Sequence, residues 1–481
     1  MPREGFGLMK SPLIVLELNE INIDLLRRYA DDGKLPHFRA LFQRHGLCRT
    51  LSESDHANAN PWIQWVTAHT GLDLAEHGVF RMSDMSQHRH EQVWEALEAR
   101  GCSVAALAPF NANNNCKQPA FFIPDPWTPT PVAGPWGMRQ LYRALVQVAD
   151  DYARERIALS SILRIIAGGL SNLHWPSLGK YLRDSFDYFL RGRRWARALV
   201  CDRLLVDCFV RQWQRSRPDF STICLNAGAH LQHHYMLSSP YSSGERKNPP
   251  GYVPPGVDPV GDAYRLYDEL LGRVLATGAR VMLVTGLAQV EHERESYYYR
   301  MNHHEHVLDA LGIGYQAIHP LMTEDFILSC ATAEDALATQ RQLEATIVEG
   351  DASLFYVDNA DVQVRRTITS EQIFYVDNRG SDLYVQLKPT RAPLPENVTI
   401  RCGERRLPRF EREVAFAQLK NGHHVGTGYF SDTGLSAERL PVTLPLRELR
   451  ARMEAAVLPQ AVLRKPVART SVSTAENVVA A

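Results

Sequence analysis

Four short apolar runs, widely separated along the chain, most constrain the fold of this 481-residue sequence. They are PLIVLEL at 12–18, GCSVAALAPF at 101–110, FSTICLNAG at 220–228 and ARVMLVTGL at 279–287. Runs of this length without polar alternation are typical of strands that are buried on both faces of a parallel sheet. Segments with helical periodicity, such as EQVWEALEAR, separate them. The alternation predicts an α/β fold with a mostly parallel central sheet flanked by helices.

The chain divides into segments of different composition. Residues 1–135 are predicted to form the first part of the core, with the first strand and a helix that begins at Pro61 after Asn60 as N-cap. Residues 136–215, which are rich in Arg, Leu and aromatic residues, predict a helical insertion that caps one side of the sheet. Residues 216–330 are the second part of the core, 331–450 are a small antiparallel annex that returns to the core, and 451–481 are a disordered tail.

The overall charge argues against a polyanionic partner. The formal net charge is -1, from 53 basic and 54 acidic residues, so no global field favours nucleic acid or an anionic membrane. Eight cysteines without a CxxC pair indicate reduced thiols in a cytoplasmic protein. No stretch reaches the ~20 apolar residues of a membrane span. SSILRIIAGGL at 160–170 is too short for one and is predicted to be a buried helix.

Polar residues follow the predicted strands at their carboxyl ends. The first strand runs into LELNE, the third into LNAGAH and the fourth into VTGLAQ. In open parallel sheets, ligands bind at this edge. A further pair, His423 and His424, is flanked by glycines in NGHHVGTGYF, where the backbone must approach another group closely.

Five segments together resemble the alkaline phosphatase superfamily, in particular its type I phosphodiesterase/nucleotide pyrophosphatase branch. LIVLELNEINIDLLRRYADDGKLPHFRALFQRHG resembles the opening of that branch, and NPWIQWVTAHTGLDLAEHGVF resembles its nucleophile helix. RPDFSTICLNAGAHLQHHYM, ARVMLVTGLAQ and NGHHVGTGYF resemble its later metal-binding segments, in the same order. The resemblance covers residues 12–80, 218–290 and 375–435. It implies an alkaline-phosphatase-like sandwich and a phosphoric ester hydrolase.

The resemblance also implies that most of the family's metal-ligand positions are replaced here. Asn19 and Ala229 stand where the branch has aspartates, and Gly286 and Leu287 stand where it has Asp-His. Ala59 and Asn60 precede Pro61, where a nucleophilic Ser or Thr is expected. Two zinc ions need several carboxylates to balance four positive charges. We therefore expect one divalent ion at most, Zn²⁺ or Mn²⁺, or none.

The candidate site residues fall into three groups. The predicted metal ligands are Glu17, Glu20, His230, His233, His423 and His424. The predicted catalytic residues are Ser54, His56 and Asn60, and the predicted ligand-binding residues are Asn19, Trp62, Asn226 and Arg300. The alternatives are a hydrogen-bonded histidine cluster without metal, a buried ion pair at Glu17 and a core position for Trp62.

These residues favour one function and leave two alternatives. The leading hypothesis is a divergent phosphodiesterase- or phosphohydrolase-type hydrolase that acts on a phosphorylated small molecule or a glycan precursor. The first alternative is a catalytically inactive protein of the same fold that binds a ligand or a partner enzyme. The second is a transferase that uses the same pocket. A shared fold does not decide among them, because reactions depend on sites.

Overall fold

The computed structural model describes residues 11–52, 59–150, 158–321, 324–351, 353–356 and 372–458, without the side chains of 148–150 and Leu170. The strands are β1 Leu13–Leu18, β2 Cys48–Leu51, β3 Val104–Leu107, β4 Phe121–Ile123, β5 Phe220–Leu225, β6 Arg280–Val284, β7 Ala288–Glu291, β8 Tyr297–Met301, β9 Ala317–Pro320, β10 Asp325–Ser329, β11 Thr346–Val348, β12 Phe374–Arg379, β13 Asp382–Leu387, β14 Ile400–Cys402, β15 Arg405–Leu407, β16 Val414–Leu419, β17 Gly422–Val425, β18 Thr427–Asp432 and β19 Thr443–Pro445. The helices are α1 Ile23–Asp31, α2 Pro36–His45, α3 Pro61–Thr70, α4 Leu74–His77, α5 Val93–Ala99, α6 Trp136–Asp150, α7 Leu159–Asn172, α8 Leu178–Arg191, α9 Ala196–Ser216, α10 Ala227–Tyr235, α11 Pro259–Leu275, α12 His304–Leu311, α13 Ala333–Glu344 and α14 Leu449–Val457.

An eight-stranded sheet forms the centre, in the order β19-β2-β18-β6-β1-β5-β3-β4. Strands β6, β1, β5, β3 and β4 are parallel to their neighbours within this run. Only β18 runs against the strands on both sides of it. The expected α/β class with a mostly parallel sheet is therefore confirmed, and the four apolar runs of the sequence supply β1, β3, β5 and β6.

Strand β1 lies in the middle of the sheet because both of its faces are apolar. Its even-numbered residues from Ile14 to Leu18 belong to one core, which also contains buried residues of α1, α2, α9, α10 and α11. Leu13 and Val15 belong to a second core with α3, α5 and α14. Helices thus cover both faces and bury a strand that has no exposed edge. None of the eight cysteines, all of which lie in the described ranges, is paired with another.

Helices α6 to α9 occupy the segment in which the helical insertion was predicted. The long helix α9 joins the main core through buried Leu199, Val206 and Trp213. Helix α7 contradicts the sequence prediction, because its apolar run was expected to be buried. The structure instead leaves Leu163 60% and Ile166 51% exposed. Within the described ranges, no helix is both long enough and apolar enough to cross a membrane.

Antiparallel strands form a smaller unit beside the main sheet. Strands β12, β13, β10 and β9 make one sheet and β11, β14 and β15 another, around a core of their own. This unit begins before residue 331, because β9 and β10 precede that position. The chain then returns through β18, β19 and α14. The predicted tail is wrong at its start, since α14 buries Met453 in the second core; residues 459–481 lie outside the described part.

Candidate metal centre

Strand β1 delivers an acidic residue to the edge of the sheet through a sharp turn. Glu20 has a left-handed backbone (φ 58°), which costs a residue with a Cβ about 1–2 kcal/mol. Its amide donates to the carbonyl of Thr285 at 3.2 Å, and its carbonyl accepts from the amide of Gln289 at 3.0 Å. These bonds fix the turn between the end of β6 and the start of β7.

Three side chains from distant parts of the sequence meet at this turn. Oε2 of Glu20 lies 3.1 Å from Nε2 of His233 on α10 and 2.9 Å from Nε2 of His424 on β17. The two Nε2 atoms are 3.2 Å apart. Side-chain exposure rises from 5% at Glu20 through 13% at His424 to 26% at His233, so the cluster opens to solvent on the histidine side.

The tautomer of His233 is fixed by a backbone carbonyl. Its Nδ1 lies 3.2 Å from the carbonyl oxygen of Gly422, which can only accept, so Nδ1 carries the proton of the neutral ring. Nε2 then turns a lone pair toward Glu20 and His424. Three acceptors this close repel one another unless a proton or a cation lies among them.

The carboxylate of Glu20 is held in its anionic form. Burial by itself raises the pKa of Glu20, but the imidazoles of His424 and His233, when they carry a proton toward the carboxylate, outweigh that effect. The net result is a pKa well below the ordinary value. The side chain is therefore available as a negatively charged ligand at neutral pH.

The donor set fits one divalent cation. Two imidazole nitrogens and a carboxylate oxygen make up the protein ligands of many catalytic zinc sites, which keep a further position open. Ligands held about 2.1 Å from a tetrahedral ion lie about 3.4 Å apart. The observed separations of 2.9 to 3.2 Å are shorter by only a few tenths of an ångström. The three ligand atoms of Glu20, His233 and His424 form a candidate metal site.

Neighbouring amides orient the carboxylate. Asn19 Nδ2 donates to Oε1 of Glu20 at 2.9 Å, and Gln289 Nε2 donates to Oε2 at 2.5 Å. Gln289 lies directly opposite His424 in the β7–β17 ribbon, so both side chains reach the same face. A Cβ on Gly422 would lie 2.4 Å from Oε1 of Gln289. Only glycine lets β17 pack this closely while its carbonyl holds His233.

Hydrogen bonds connect helix α10 to the turn at Glu20 and to the segment just before β17. Gln232 Oε1 accepts from the amide of Asn22 at 2.9 Å, and its Nε2 donates to the carbonyl of Glu20 at 2.8 Å. The amide of Asn421 donates to the carbonyl of His233 at 2.8 Å. The Gln232 side chain therefore links α10 to the Glu20 turn, and a backbone hydrogen bond links α10 to the segment that leads into β17.

Asn19 and Asn226, both predicted to bind a ligand, form an amide network behind the cluster. Asn19 Nδ2 also donates to Oδ1 of Asn226 at 2.7 Å, and its Oδ1 accepts from Nε1 of Trp65 at 2.7 Å. Asn19 is 1% exposed. It therefore positions Glu20 from within the protein, and Trp65 fixes the orientation of its carboxamide.

Helix α3 runs antiparallel to β1. Trp65 is bonded to Asn19 and, one turn later, His69 is bonded to Glu17 at 2.9 Å. The N-terminus of α3, at Asn60, therefore projects past the edge of the sheet on which Glu20 lies. The first amides of a helix and its positive dipole end favour anions there.

Glu17 is not brought into the cluster. Its Oε1 accepts from Thr222 Oγ1 at 2.6 Å and faces His69 Nε2 at 2.9 Å, in the core under α3. The side chain is 1% exposed. This contact is the buried pair that was the alternative to metal binding.

His230 and His423 also have other neighbours. The His230 ring lies 4.5 Å from that of His234, and burial lowers the pKa of His230 to about 4. The His423 ring lies 5.6 Å from that of His292, on the other side of β17 from His424. Of the six predicted metal ligands, three meet in the cluster: Glu20, His233 and His424.

The remaining predicted residues have varied positions. Asn60 precedes α3 and is buried. Trp62 is half-buried against the second core and donates from Nε1 to the carbonyl of Phe80 at 3.0 Å. Arg300 lies on β8 opposite Ala415. The predicted catalytic residues Ser54 and His56 lie outside the described residues.

Three groups that support the cluster were not among the residues predicted from the sequence: Gln289, Gln232 and Trp65. Gln289 closes the strand end VTGLAQ, so a polar residue at a predicted ligand edge was a usable signal. Trp65 gave no such signal, because a tryptophan on an apolar helix predicts a core position.

Comparisons with known proteins give likeness in fold only. No protein-family model matches the chain, and a search of curated proteins found no match. Among solved structures, it is similar to phosphonoacetate hydrolase from Sinorhizobium meliloti 1021 in complex with phosphonoformate, at 12% identity and a TM-score of 0.44, over 94% of this chain and 96% of that one. It is also similar to human ectonucleotide pyrophosphatase/phosphodiesterase 5, at 8% identity and a TM-score of 0.40, over 93% of this chain and 95% of that one.

At this identity and TM-score these structures assign no residue role, substrate or activity to this chain. The fold class rests on the observed sheet, and the chemistry rests on the side chains at its edge.

Proposed function

We propose that the chain is a hydrolase of phosphoric esters, of the phosphodiesterase type, that holds one divalent ion between Glu20, His233 and His424. The observation that carries the proposal is the convergence of these three ligand atoms at the carboxyl edge of a parallel sheet. The substrate class is a phosphorylated small molecule or a glycan precursor.

The residues of the chain divide the work. Glu20, His233 and His424 hold the ion, which when bound acts as a Lewis acid toward the substrate and activates water. Gly422 keeps the proton of His233 on Nδ1, so that Nε2 remains a ligand. Asn19 and the cross-strand glutamine hold the carboxylate in place.

The charge balance supports one ion and an anionic substrate. One carboxylate and two neutral imidazoles contribute a charge of about -1, so a divalent ion leaves the site near +1. A second divalent ion would raise it to about +3 without another carboxylate to compensate. A site near +1 attracts a phosphate diester.

Helix α3 adds a second feature that suits an anion. Its N-terminus projects from Asn60 toward the same edge as Glu20, with the positive end of the dipole foremost. Asn60, Ser54 and His56 stay predictions as catalytic residues. The proposal does not depend on a serine nucleophile, because activated water suffices.

Adjacent histidines provide the direct test. His424→Ala removes a ligand, whereas His423→Ala removes the neighbouring ring that points to the other side of β17. We expect the wild-type protein and His423→Ala to hold about one Zn²⁺ or Mn²⁺ per chain and to hydrolyse bis-p-nitrophenyl phosphate, and His424→Ala to do neither.

Three outcomes would contradict the proposal. Equal metal content in the two variants would remove the cluster as the binding site. Metal binding that depends on His424 without turnover of any phosphoester would favour the inactive binding protein. Transfer of the phosphoryl group to an added alcohol in preference to water would favour the transferase.

A further inference from the structure

Exposed apolar side chains are concentrated on two helices of the insertion. Eleven of the fifteen large hydrophobic residues that are exposed in the described part of the chain lie between 136 and 190. Ten of them lie on α7, on α8 or in the segment between these helices, and together we call them the apolar face: Leu159, Ile162, Leu163, Ile166, Trp175, Leu178, Leu182, Phe186, Phe189 and Leu190. Exposed hydrophobic residues usually occur singly on a protein surface, so a group of them marks an interaction surface.

The spacing of these residues makes a stripe along each helix. On α7 they recur at intervals of three and four residues from Leu159 to Ile166, and on α8 from Leu178 to Leu190. This periodicity places them on one side of each helix. Both helices turn their opposite sides to the protein.

Buried contacts on that inner side fix the rotation of the helices. On α8, Asp184 is 2% exposed and pairs with Arg203 of α9 at 3.2 Å, and Tyr181 donates to Asp207 of α9 at 2.9 Å. On α7, a Cβ on Gly168 would lie 2.5 Å from Cγ of the α6 leucine it packs against. The apolar face therefore points outward because the inner side is specifically bonded.

The charge of the insertion differs from that of the rest of the chain. Residues 136–215 contain 14 Lys and Arg against 7 Asp and Glu, a formal charge of +7. The whole chain carries -1, so the remainder carries -8. Arg183 and Arg191, which are 57% and 53% exposed, lie beside the stripe on α8, where they also pair with Asp184 at 2.9 Å and Asp187 at 3.0 Å. The Arg191 guanidinium is 5.1 Å from the centre of the Phe186 ring.

We propose that the apolar face docks in the plane of an anionic membrane surface. Apolar side chains that enter the acyl boundary, flanked by arginines that meet acidic headgroups, are the features of an interfacial helix. Each helix has 14 residues and a length of about 21 Å, which is shorter than a ~30 Å hydrocarbon core. A second copy fits less well, since association through this face would bring two segments of charge +7 together.

Vesicle co-sedimentation tests the proposal with a matched control. Leu182→Glu combined with Phe189→Glu places two acids on the apolar face, whereas Leu337→Glu changes a residue of similar exposure on α13. We expect wild type and Leu337→Glu to bind vesicles of phosphatidylcholine with phosphatidylserine, and binding to fall on addition of salt. The double variant should bind at least about tenfold more weakly, because both the apolar and the charge contributions are reduced.

Several results would overturn the proposal. One is the absence of binding to the anionic vesicles, and another is equal binding by the double variant. A wild-type dimer in vesicle-free solution that Leu182→Glu and Phe189→Glu convert to a monomer would assign the face to a second copy. Membrane docking does not require the proposed hydrolase. A protein that binds vesicles but no metal, or metal but no vesicles, would support one of the two proposals and contradict the other.

Discussion

Replacing Glu20 by glutamine removes the one negatively charged ligand of the cluster and keeps the shape of the side chain. The carboxylate lies within 3.1 Å of both histidine Nε2 atoms and is only 5% exposed, so no solvent anion can take its place easily. Glutamine can still accept from Asn19 and donate to a histidine nitrogen, provided that the Gln289 carboxamide, which donates to Oε2 in the wild type, turns its oxygen toward the new amide. The fold should therefore survive Glu20→Gln, while the affinity for a divalent cation should not.

The size of the loss follows from the number of ligands. Apparent binding free energies of ~10–16 kcal/mol for four-ligand zinc sites correspond to about 2.5–4 kcal/mol per ligand. Losing one protein ligand therefore weakens binding by roughly 10²- to 10³-fold in Kd. The pKa of Glu20 is already well below its ordinary value, so binding an ion requires no deprotonation of this group near neutral pH.

Glu17→Gln is the matched control. Glu17 lies three residues earlier, is equally buried, and contacts His69 and Thr222 under α3. Zinc affinity is measured by competition with a chromophoric indicator, and the rise in melting temperature on adding zinc gives a second readout. Glu20→Gln should lose both signals and Glu17→Gln should keep the affinity. An equal loss in the two variants, or wild-type affinity in Glu20→Gln, would refute the assignment of the ligands.

Three further substitutions probe the groups that support the cluster and the core. Gly422→Ala forces a Cβ to within 2.4 Å of Gln289 Oε1, so it should destabilise the protein by ~1–3 kcal/mol in urea unfolding and weaken zinc binding. Trp65→Phe removes the donor to Asn19 and should cost about 1 kcal/mol of stability, with about tenfold weaker zinc binding; unchanged affinity would show that the amide network does not position the carboxylate. Burial lowers the pKa of His77 from 6.5 to about 4, so the folded state resists protonation there. The stability that neutral His77 contributes is complete above about pH 6.5 and decreases by up to ~3 kcal/mol as the pH falls toward 4. His77→Gln should therefore show a flatter dependence of the unfolding free energy on pH. An unchanged slope would contradict this.

The parallel sheet could be predicted from sequence because its strands are buried on both faces. Such strands are continuous apolar runs, and their polar ends locate the ligand edge without further information. This was enough to identify Glu20, His233 and His424 among the candidates. These patterns did not exclude Glu17 as a metal ligand, because the left-handed turn at Glu20 ends the regular alternation of side chains along β1.

The choice between His423 and His424 needed the pairing of strands. Neighbouring residues on a strand point to opposite sides, and only the register of β17 with β7 shows which histidine faces Glu20. Gln289 was missed for the same reason, because its partner across the ribbon is far away in sequence. The exposure of α7 could not be predicted either, because an apolar run does not reveal which side of the helix another element covers.

The distance in sequence between the ligands has a consequence for synthesis of the protein on the ribosome. His424 lies 404 residues after Glu20 and 191 after His233, and β17 also supplies the carbonyl that fixes the His233 tautomer. A nascent chain in which β17 is still inside the ribosome therefore lacks His424 as a ligand. The side chain of His233 is also not yet oriented, because the carbonyl of Gly422 is missing. Closing a loop of this length costs roughly 5 kcal/mol of chain entropy, which the packing of the elements in between offsets. The three-ligand site can therefore form only after β17 has been translated, and cation capture there would report that β17 has paired with β7.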